Sequence, residues 1–100
     1  MNVISRRGLL ELSKAAKLES DAKAELESWY RIAEHAAWNN LMDVCQHFPS
    51  ADQLGNVLIF DIRHNRYRLI VFAVFPKEKL YIKAIMTHKQ YDRKGWIKWA

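Results

Sequence analysis

Residues 57–91 constrain the fold most, because three apolar runs rich in β-branched and aromatic residues follow one another there. Such runs, separated by short polar breaks, are typical of antiparallel strands joined by tight turns. The first break is His64 and Asn65, two residue types that tolerate the positive φ of a two-residue hairpin loop. The second break, residues 76–79, has the length and the proline of a four-residue turn. The stretch therefore predicts a three-stranded meander.

The two turns also predict which residues face each other across the strands. The predicted cross-strand pairs are Arg63 with Arg66, Asp61 with Arg68, Phe75 with Leu80, and Phe72 with Lys83. Side-chain alternation then gives an apolar core face made of Leu58, Phe60, Ile62, Tyr67, Leu69, Val71, Ala73, Phe75, Leu80, Ile82, Ala84 and Met86. The second face is predicted to hold all the strand charge, namely Asp61, Arg63, Arg66, Arg68 and Lys83, beside Thr87 and apolar residues that include Ile85.

Length and composition predict one soluble domain, residues 1–100, with a single hydrophobic core. The formal net charge of +5 and the pI near 9.5 favour an anionic partner, either nucleic acid or an acidic protein. The single Cys45 cannot form an internal disulfide, which fits a reducing compartment. The longest apolar run, residues 69–75, is too short to span a bilayer, and no apolar segment of a signal peptide follows Arg6 and Arg7. We therefore expect a cytoplasmic protein with no membrane partner.

The N-terminal half predicts two or three helices. Ser5 can cap a helix over residues 9–16, although residues 3 and 4 could equally form a brief edge strand before it. Ser20 is the predicted cap of a second helix, whose apolar stripe runs from Ala22 to Ala37. Residues 41–48 predict a short third helix that ends at Pro49, and residues 50–56 predict a loop. The expected fold class is α+β, with two to three N-terminal helices on one face of a small antiparallel sheet and the other face open.

Four histidines and one cysteine raise the question of a metal site. Cys45 and His47 are the only close pair, and nothing in the chain has the spacing of a zinc site. The three glycines form no phosphate-binding loop, and no nucleophile elbow is present. We therefore expect neither a metal nor a cofactor.

The second sheet face carries the strongest candidate for chemistry. Cleavage at an RNA phosphate needs a base for the 2′-hydroxyl, cations for the phosphorane and a proton for the leaving 5′-oxygen. Arginine presents a planar fork to phosphate, whereas histidine and tyrosine exchange protons or stack on a base. The residues expected to converge on this face are Arg63, Arg66, Arg68 and Lys83, with His88, Lys89 and Tyr91 at the end of the last strand.

Each candidate also has a structural explanation. Arg68 could pair across the strands with Asp61, and such a pair is compatible with a phosphate role. His88 could be a surface residue, Tyr91 a core aromatic, and Asp92 either a cap or a partner for His88. The basic, tryptophan-containing tail after residue 92 could grip RNA or simply be solvated.

Several segments together resemble the HigB toxins of the RelE-like superfamily, which belong to bacterial toxin–antitoxin systems. The resemblance rests on residues 3–6 (VISR), Ala37 with Trp38, residues 50–52 (SAD), residues 57–65 (VLIFDIRHN), residues 67–70 (YRLI), residues 81–83 (YIK) and residues 87–92 (THKQYD). It implies the fold predicted above. It also implies a metal-independent mRNA endoribonuclease that often cuts in the A site of the 70S ribosome and leaves a 2′,3′-cyclic phosphate.

The resemblance further implies a HigA-like helix-turn-helix antitoxin, which neutralises the toxin. The toxin–antitoxin pair is then expected to contact operator DNA only through the antitoxin. The strand arginine of the superfamily falls on Arg68, and the histidine and tyrosine of the last motif fall on His88 and Tyr91, with Lys83 as a further catalytic candidate. The expected RNA-binding residues are Arg63, His64, Arg66 and Lys89. The expected supporting residues are Asp61 and Asp92.

This chain departs from its relatives in two places. Where relatives often have Gly-Gly-Asn, it has Arg63-His64-Asn65. Where some RelE-like nucleases carry lysines on the preceding strand, it has Ile59 and Asp61. The general base therefore stays open between His88 and Tyr91. Two other functions also stay open, a ParE-like toxin that poisons DNA gyrase without cleaving RNA, and an RNA-binding module without activity.

Overall fold

A computed structural model describes residues 1–5, 19–64 and 66–99 of the chain, with the Ser5 side chain left aside. Its core is a five-stranded sheet in the order β1-β5-β4-β3-β2. The strands are β1 (Asn2–Ser5), β2 (Asp52–Leu54), β3 (Val57–Ile62), β4 (Tyr67–Val74) and β5 (Lys79–Thr87). The helices are α1 (Ser20–His35), α2 (Leu41–His47) and α3 (His88–Asp92), and 3₁₀ turns span Phe75–Lys77 and Gly95–Trp99. The predicted α+β class is confirmed.

The predicted meander forms strands β3, β4 and β5, and two edge strands extend it. Strand β1 runs parallel to β5, which confirms the edge-strand alternative for residues 3 and 4. Strand β2 pairs antiparallel with β3 through residues 52–54, so the prediction of a plain loop there is wrong. The predicted helix over residues 9–16 lies outside the described residues. Within the described ranges, no helix is long and apolar enough to cross a membrane.

Helix α1 packs on the sheet through the predicted apolar stripe. Its buried residues are Ala22, Leu26, Trp29 and Ala33, which recur at helical spacing and face one side. The N-cap is Glu19 rather than the predicted Ser20, and the helix ends at His35, before Ala37. Helix α2 starts after Asn40, whose side-chain oxygen accepts a hydrogen bond from the backbone N–H of Asp43.

The amino group of Met1 ties strand β1 to the end of α1. It donates hydrogen bonds to the backbone oxygens of Ala33, Glu34 and Ala36, at 3.2, 3.1 and 2.5 Å. The last carbonyls of a helix lack partners within the helix and carry partial negative charge, so a cation satisfies them well. This contact therefore stabilises both the helix end and the sheet edge.

The helix-facing side of the sheet is organised around Phe60 of β3. Its ring lies 5.2 Å from Trp29 of α1 and 5.3 Å from Phe48, both in edge-to-face geometry, and 6.2 Å from Trp38. Such aromatic pairs add stability beyond the area that they bury. Because these rings come from α1, the end of α2 and β3, the cluster joins both helices to the sheet.

The position of the β4–β5 turn and a bulge in β5 both change the predicted register. The β4–β5 connection leaves the sheet at Val74 and re-enters at Lys79, so Ala73 rather than Phe75 faces Leu80. The pairing then shifts between Ile70 and Val71, which leaves Lys83 as the extra residue.

The bulge exchanges the two faces of the strand that follows it, because side chains alternate along a strand. Ile85 therefore packs in the helix-side core, whereas Met86 joins the opposite face. The predictions that Ala84 and Met86 face the core, and that Phe72 pairs with Lys83, are wrong. Phe72 pairs with Tyr81 instead.

The second sheet face is not open, contrary to prediction. Trp96 is buried there against Val57, Ile59 and Ile70, and Trp99 packs at the edge of the same cluster. The C-terminal segment thus returns across the sheet and supplies a second, smaller core. Bulky apolar residues on both faces of β3 and β4 explain why this return is favourable.

We predict that Phe60→Ala destabilises the fold by about 3–5 kcal/mol, because it removes a buried ring from the centre of an aromatic cluster. Urea unfolding followed by circular dichroism measures the loss. Met42→Ala is the matched control, since that side chain is 75% exposed and should change stability by less than about 0.5 kcal/mol. Equal midpoints for the two variants would contradict the assignment of Phe60 as the centre of the core.

Candidate functional site

Arg68 of β4 is a charged residue buried in the sheet, with only 9% of its surface exposed. It faces Asp61 of β3 in the predicted register, and its Nε lies 3.1 Å from the Asp61 carboxylate. A buried guanidinium is costly unless it is paired and hydrogen-bonded. The neighbouring strand supplies that pairing, which fixes where the positive charge lies.

Residues 87–92, which include helix α3, lie next to Arg68. Thr87 ends β5 and caps the helix, because its hydroxyl accepts from the Gln90 N–H while the Gln90 side chain accepts from the Thr87 N–H. The His88 N–H donates to the Arg66 backbone oxygen at 3.1 Å, which ties the helix start to the β3–β4 turn. The Tyr91 ring then lies 5.3 Å from the Arg68 guanidinium carbon, a cation–π distance.

His88 and Asp92 occupy the exposed side of α3. Nε2 of His88 lies 3.6 Å from the Asp92 carboxylate, one helical turn away, and both side chains are more than half exposed. His88 and Tyr91 are three residues apart in one helix, so their side chains are neighbours on its surface. We call the region of Arg68, Tyr91 and His88 the corner: Tyr91 lies against Arg68, and His88 is the neighbour of Tyr91 on α3. Asp61 and Asp92 each lie beside a predicted functional residue.

Lys83 lies on the same face but apart from this corner. As the bulged residue it is exposed, and its Nζ lies 5.8 Å from the Phe72 ring centroid. Arg68 pairs with Met86, three residues further along β5, which places Lys83 about 10 Å away along the strand. Lys83 therefore lies apart from Arg68 and Tyr91 along the strand.

Two other predicted cations turn toward helix α1. Arg66 forms an ion pair of 2.7 Å with Glu19, and Arg63 lies 3.7 Å from Asp21. The backbone N–H of Arg63 also donates to the Glu25 carboxylate. The prediction that all the strand charge collects beside Arg68 is therefore wrong for Arg63 and Arg66, because acidic residues around the start of α1 compete for them.

The β3–β4 turn differs in detail from the predicted hairpin. Positive φ values occur at Arg63 and His64, at 52° and 58°, whereas His64 and Asn65 were expected, and Asn65 is not among the described residues. His64 and Lys89 are both exposed. Their roles in RNA binding stay predictions.

Trp96 completes the corner from the C-terminal side. Its indole ring stacks on Tyr91, with centroids 5.0 Å apart and planes only 6° from parallel. Its Nε1–H donates to the Tyr91 backbone oxygen at 3.0 Å. The Arg68 guanidinium and the Trp96 indole therefore both lie against the Tyr91 ring.

The comparison with known families follows the same segments. A family model described as HigB toxin, the RelE-like toxic component of a toxin–antitoxin system, matches residues 22–94. The chain belongs to the HigB toxin family. The match covers α1, α2, strands β2 to β5 and α3, and therefore every residue of the corner except Trp96.

Curated HigB proteins give the individual similarities. The mRNA interferase toxin HigB of Escherichia coli (strain K12) is 38% identical over 48 residues, which cover 45% of this chain and 46% of that relative. The mRNA interferase HigB of Shigella flexneri matches to the same extent, so the chain spans about half the length of these two relatives. The mRNA interferase HigB of Escherichia coli O6:H1 is 26% identical over 96 residues, which cover 93% of this chain and 90% of that relative.

The environment of Tyr91 in this HigB-family chain raises the pKa of its phenol above 10.0. Partial burial is the main cause, and the carboxylates of Asp52, Asp61 and Asp92 act in the same direction. The positive charge of Arg68 lowers the pKa but does not outweigh them. The phenol therefore stays protonated at neutral pH, when it can donate a hydrogen bond.

Two residues that act on Tyr91 are not among the predicted site residues. The sequence assigns Trp96 only to the basic tail, although an aromatic residue shortly after Tyr91 and next to Gly95 is a signal that the chain folds back. It predicts a loop at Asp52, whose influence on Tyr91 appears only once β2 pairs with β3. Within the described ranges, no group of three or more histidine, cysteine or acidic side chains could hold a metal ion.

We predict that stability falls at high pH partly through Tyr91. Folding raises the pKa of this phenol, so its contribution is complete well below pH 10.0, the pKa of an ordinary tyrosine, and is lost as the pH rises through the folded-state value. Tyr91→Phe should therefore make the decline in unfolding free energy above pH 10 shallower. Tyr30, whose pKa is also raised, keeps part of the decline in both proteins. Urea titrations across this range measure it, and identical pH dependence would contradict the burial of Tyr91.

Proposed function

We propose that this HigB-family chain is an mRNA endoribonuclease, a toxin that inhibits translation by cutting messages. The curated relatives called mRNA interferase support this reading. The single observation that carries it is the packing of Tyr91 over the buried guanidinium of Arg68, at the corner where α3 exposes His88. A fixed cation, a protonated phenol and an accessible imidazole can supply the charge stabilisation, the acid and the base that RNA cleavage without a metal requires.

In the proposed reaction the 2′-hydroxyl of the scissile nucleotide attacks the adjacent phosphate. His88 takes its proton, and the Asp92 carboxylate near Nε2 stabilises the resulting imidazolium. Arg68 stabilises the negative charge that develops on the phosphorane, since a positive charge in a poorly solvated position acts more strongly than one in water. The bond to the 5′-oxygen then breaks, and the products are a 2′,3′-cyclic phosphate and a 5′-hydroxyl.

We assign the base to His88 rather than Tyr91 because a phenol with a raised pKa is a poor base at neutral pH. The same property suits Tyr91 to donate a proton or a hydrogen bond to the leaving 5′-oxygen. Its stack with Trp96 already uses a face of the ring, which makes stacking on an RNA base a smaller part of its role.

RNA binding away from the scissile phosphate would rest on exposed cations. Lys83 beside Phe72 combines a charge with an aromatic surface on the same face as Arg68, and Lys98 lies 5.1 Å from the Trp99 ring. Lysines next to aromatic side chains suit a single strand, whose phosphates and bases alternate. Lys89, His64, Arg63 and Arg66 are further proposed contacts, the two arginines after exchange of their acidic partners on α1 for phosphate.

The family assignment also supports proposals about partners and conditions. An antitoxin is implied by the family itself. We propose that it is HigA-like with a helix-turn-helix, and that operator DNA is contacted only through it. We further propose that cleavage occurs in the ribosomal A site in the cytoplasm and needs no metal ion at the cleavage site.

We predict that His88→Ala lowers the single-turnover cleavage rate by about 10²- to 10⁴-fold, the usual contribution of a positioned proton acceptor. Primer extension on a defined mRNA in a translation reaction measures the rate. His35→Ala is the matched control, since His35 is an exposed histidine on α1, on the helix side of the sheet. A His88→Ala protein that cuts at the wild-type rate would rule out this base.

A messenger carrying a single 2′-deoxynucleotide at the cleavage position should resist cleavage there completely, because the attacking hydroxyl is gone. Cleavage at neighbouring sites in the same molecule provides the internal control. Cutting at the 2′-deoxy position would exclude the cyclic-phosphate route. The absence of any cut in the unmodified message, combined with inhibited DNA supercoiling, would point to a ParE-like gyrase poison, and binding without either effect to an RNA-binding module.

A further inference from the structure

We infer that Trp96 is a positioning residue that holds Tyr91 against Arg68, and that the C-terminal turn Gly95–Trp99 is therefore part of the active corner. The inference rests on the proposed function, because it gives Trp96 a role in that same reaction. Trp96 itself is only 6% exposed, so it acts through Tyr91 rather than on RNA.

Trp96 fixes Tyr91 at two points. The parallel stack with the indole restrains the rotation of the Tyr91 ring. The hydrogen bond from the Trp96 Nε1–H to the Tyr91 backbone oxygen restrains the peptide bond that follows Tyr91. The same Tyr91 oxygen also accepts from the Lys94 N–H at 3.0 Å. Lys94 has a positive φ of 60°, the left-handed conformation that commonly ends helices and reverses the chain. This reversal is what returns the indole to the tyrosine.

Helix α3 depends on such external contacts because it has only five residues. Helices this short are not stable alone, since forming the first turn costs more free energy than one hydrogen bond returns. The capping box of Thr87 secures its start. Trp96, buried against Ile59 and Ile70 of the sheet, secures its end.

The contacts form a continuous column from the sheet to the tail. Asp61 holds Arg68, Arg68 lies against the Tyr91 ring, and Tyr91 stacks on Trp96. Removing the indole leaves the phenol with a partner on one side only. A displacement of about 1 Å in a catalytic group costs about 100-fold in rate, which sets the size of the expected effect.

The test compares Trp96→Leu, which keeps an apolar side chain but no ring, with Trp96→Phe, which keeps the stack and loses the Nε1 bond. Ile97→Ala is the control, because Ile97 lies in the same turn, is 42% exposed and has no assigned part in binding or catalysis. We expect Trp96→Leu to lower the single-turnover rate by about 10- to 100-fold with unchanged half-saturating toxin concentration. Trp96→Phe should restore most of the rate, and Ile97→Ala should keep it.

A double-mutant cycle distinguishes a positioning role of Trp96 from a general loss of stability. If Trp96 acts through Tyr91, then adding Trp96→Leu to Tyr91→Phe lowers the rate no further than Tyr91→Phe alone. Wild-type rates for a folded Trp96→Leu protein, or fully multiplicative losses in the cycle, overturn the inference. Trp96→Met takes the place of Trp96→Leu under the same criteria if the leucine variant does not fold.

The failure of the proposed function has a different signature. In that case the wild-type protein cuts no message. If the wild-type protein cuts but Tyr91→Phe and His88→Ala both retain full cleavage, the assigned catalytic site is wrong, whatever the Trp96 variants do. If those two variants lose activity while the folded Trp96→Leu protein keeps it, only the positioning role is wrong.

Discussion

The ion pair between Arg68 and Asp61 is the interaction on which the rest of the site depends. It places a guanidinium next to the apolar cluster of the second sheet face, where an unpaired buried charge would be severely destabilising. Asp61 supplies the opposite charge, and the Tyr91 ring covers the cation. A charge held in this way cannot relax as it does in water, so its field stays directed at the corner where α3 exposes His88.

The bulge at Lys83 redistributes the side chains of β5 between the two sheet faces. By exchanging the faces of the last part of β5, it buries Ile85 under the helices and turns Met86 toward the C-terminal segment. On the second face Val57, Ile59 and Ile70 bury Trp96, and Trp96 in turn stacks on Tyr91. Bulges near functional sites often serve to redirect side chains, and here one change of register affects both cores.

Local sequence was sufficient for the parts of the fold that depend on neighbouring residues. The two-residue break at His64 and Asn65 predicts the β3–β4 register. That register includes the observed pairing of Asp61 with Arg68. The spacing of apolar residues predicts the buried stripe on α1. The THKQYD motif of the family resemblance predicts where the corner lies. These features involve contacts within one hairpin, one helix or one motif.

The errors concern contacts between distant segments. The apolar run of β5 contains no local sequence signal for its bulge. Residues 75–78 form the β4–β5 turn, one position earlier than the turn predicted from the proline. The ion pairs of Arg63 and Arg66 with α1 join residues more than forty apart in the chain. The burial of Trp96 depends on the whole second face, which the sequence predicted to be open.

We propose that Arg68 serves the reaction and does not merely stabilise the sheet. The paired variant Asp61→Leu with Arg68→Met tests it, because replacing both members of a buried ion pair with apolar residues is often neutral or stabilising, whereas removing one is not. Urea unfolding and cleavage of a defined mRNA should be measured on the same preparation. We expect the paired variant to unfold at or above the wild-type midpoint and to cleave at least about 100-fold more slowly, the usual cost of losing one electrostatic contact to the transition state. A stable paired variant with wild-type cleavage would contradict it.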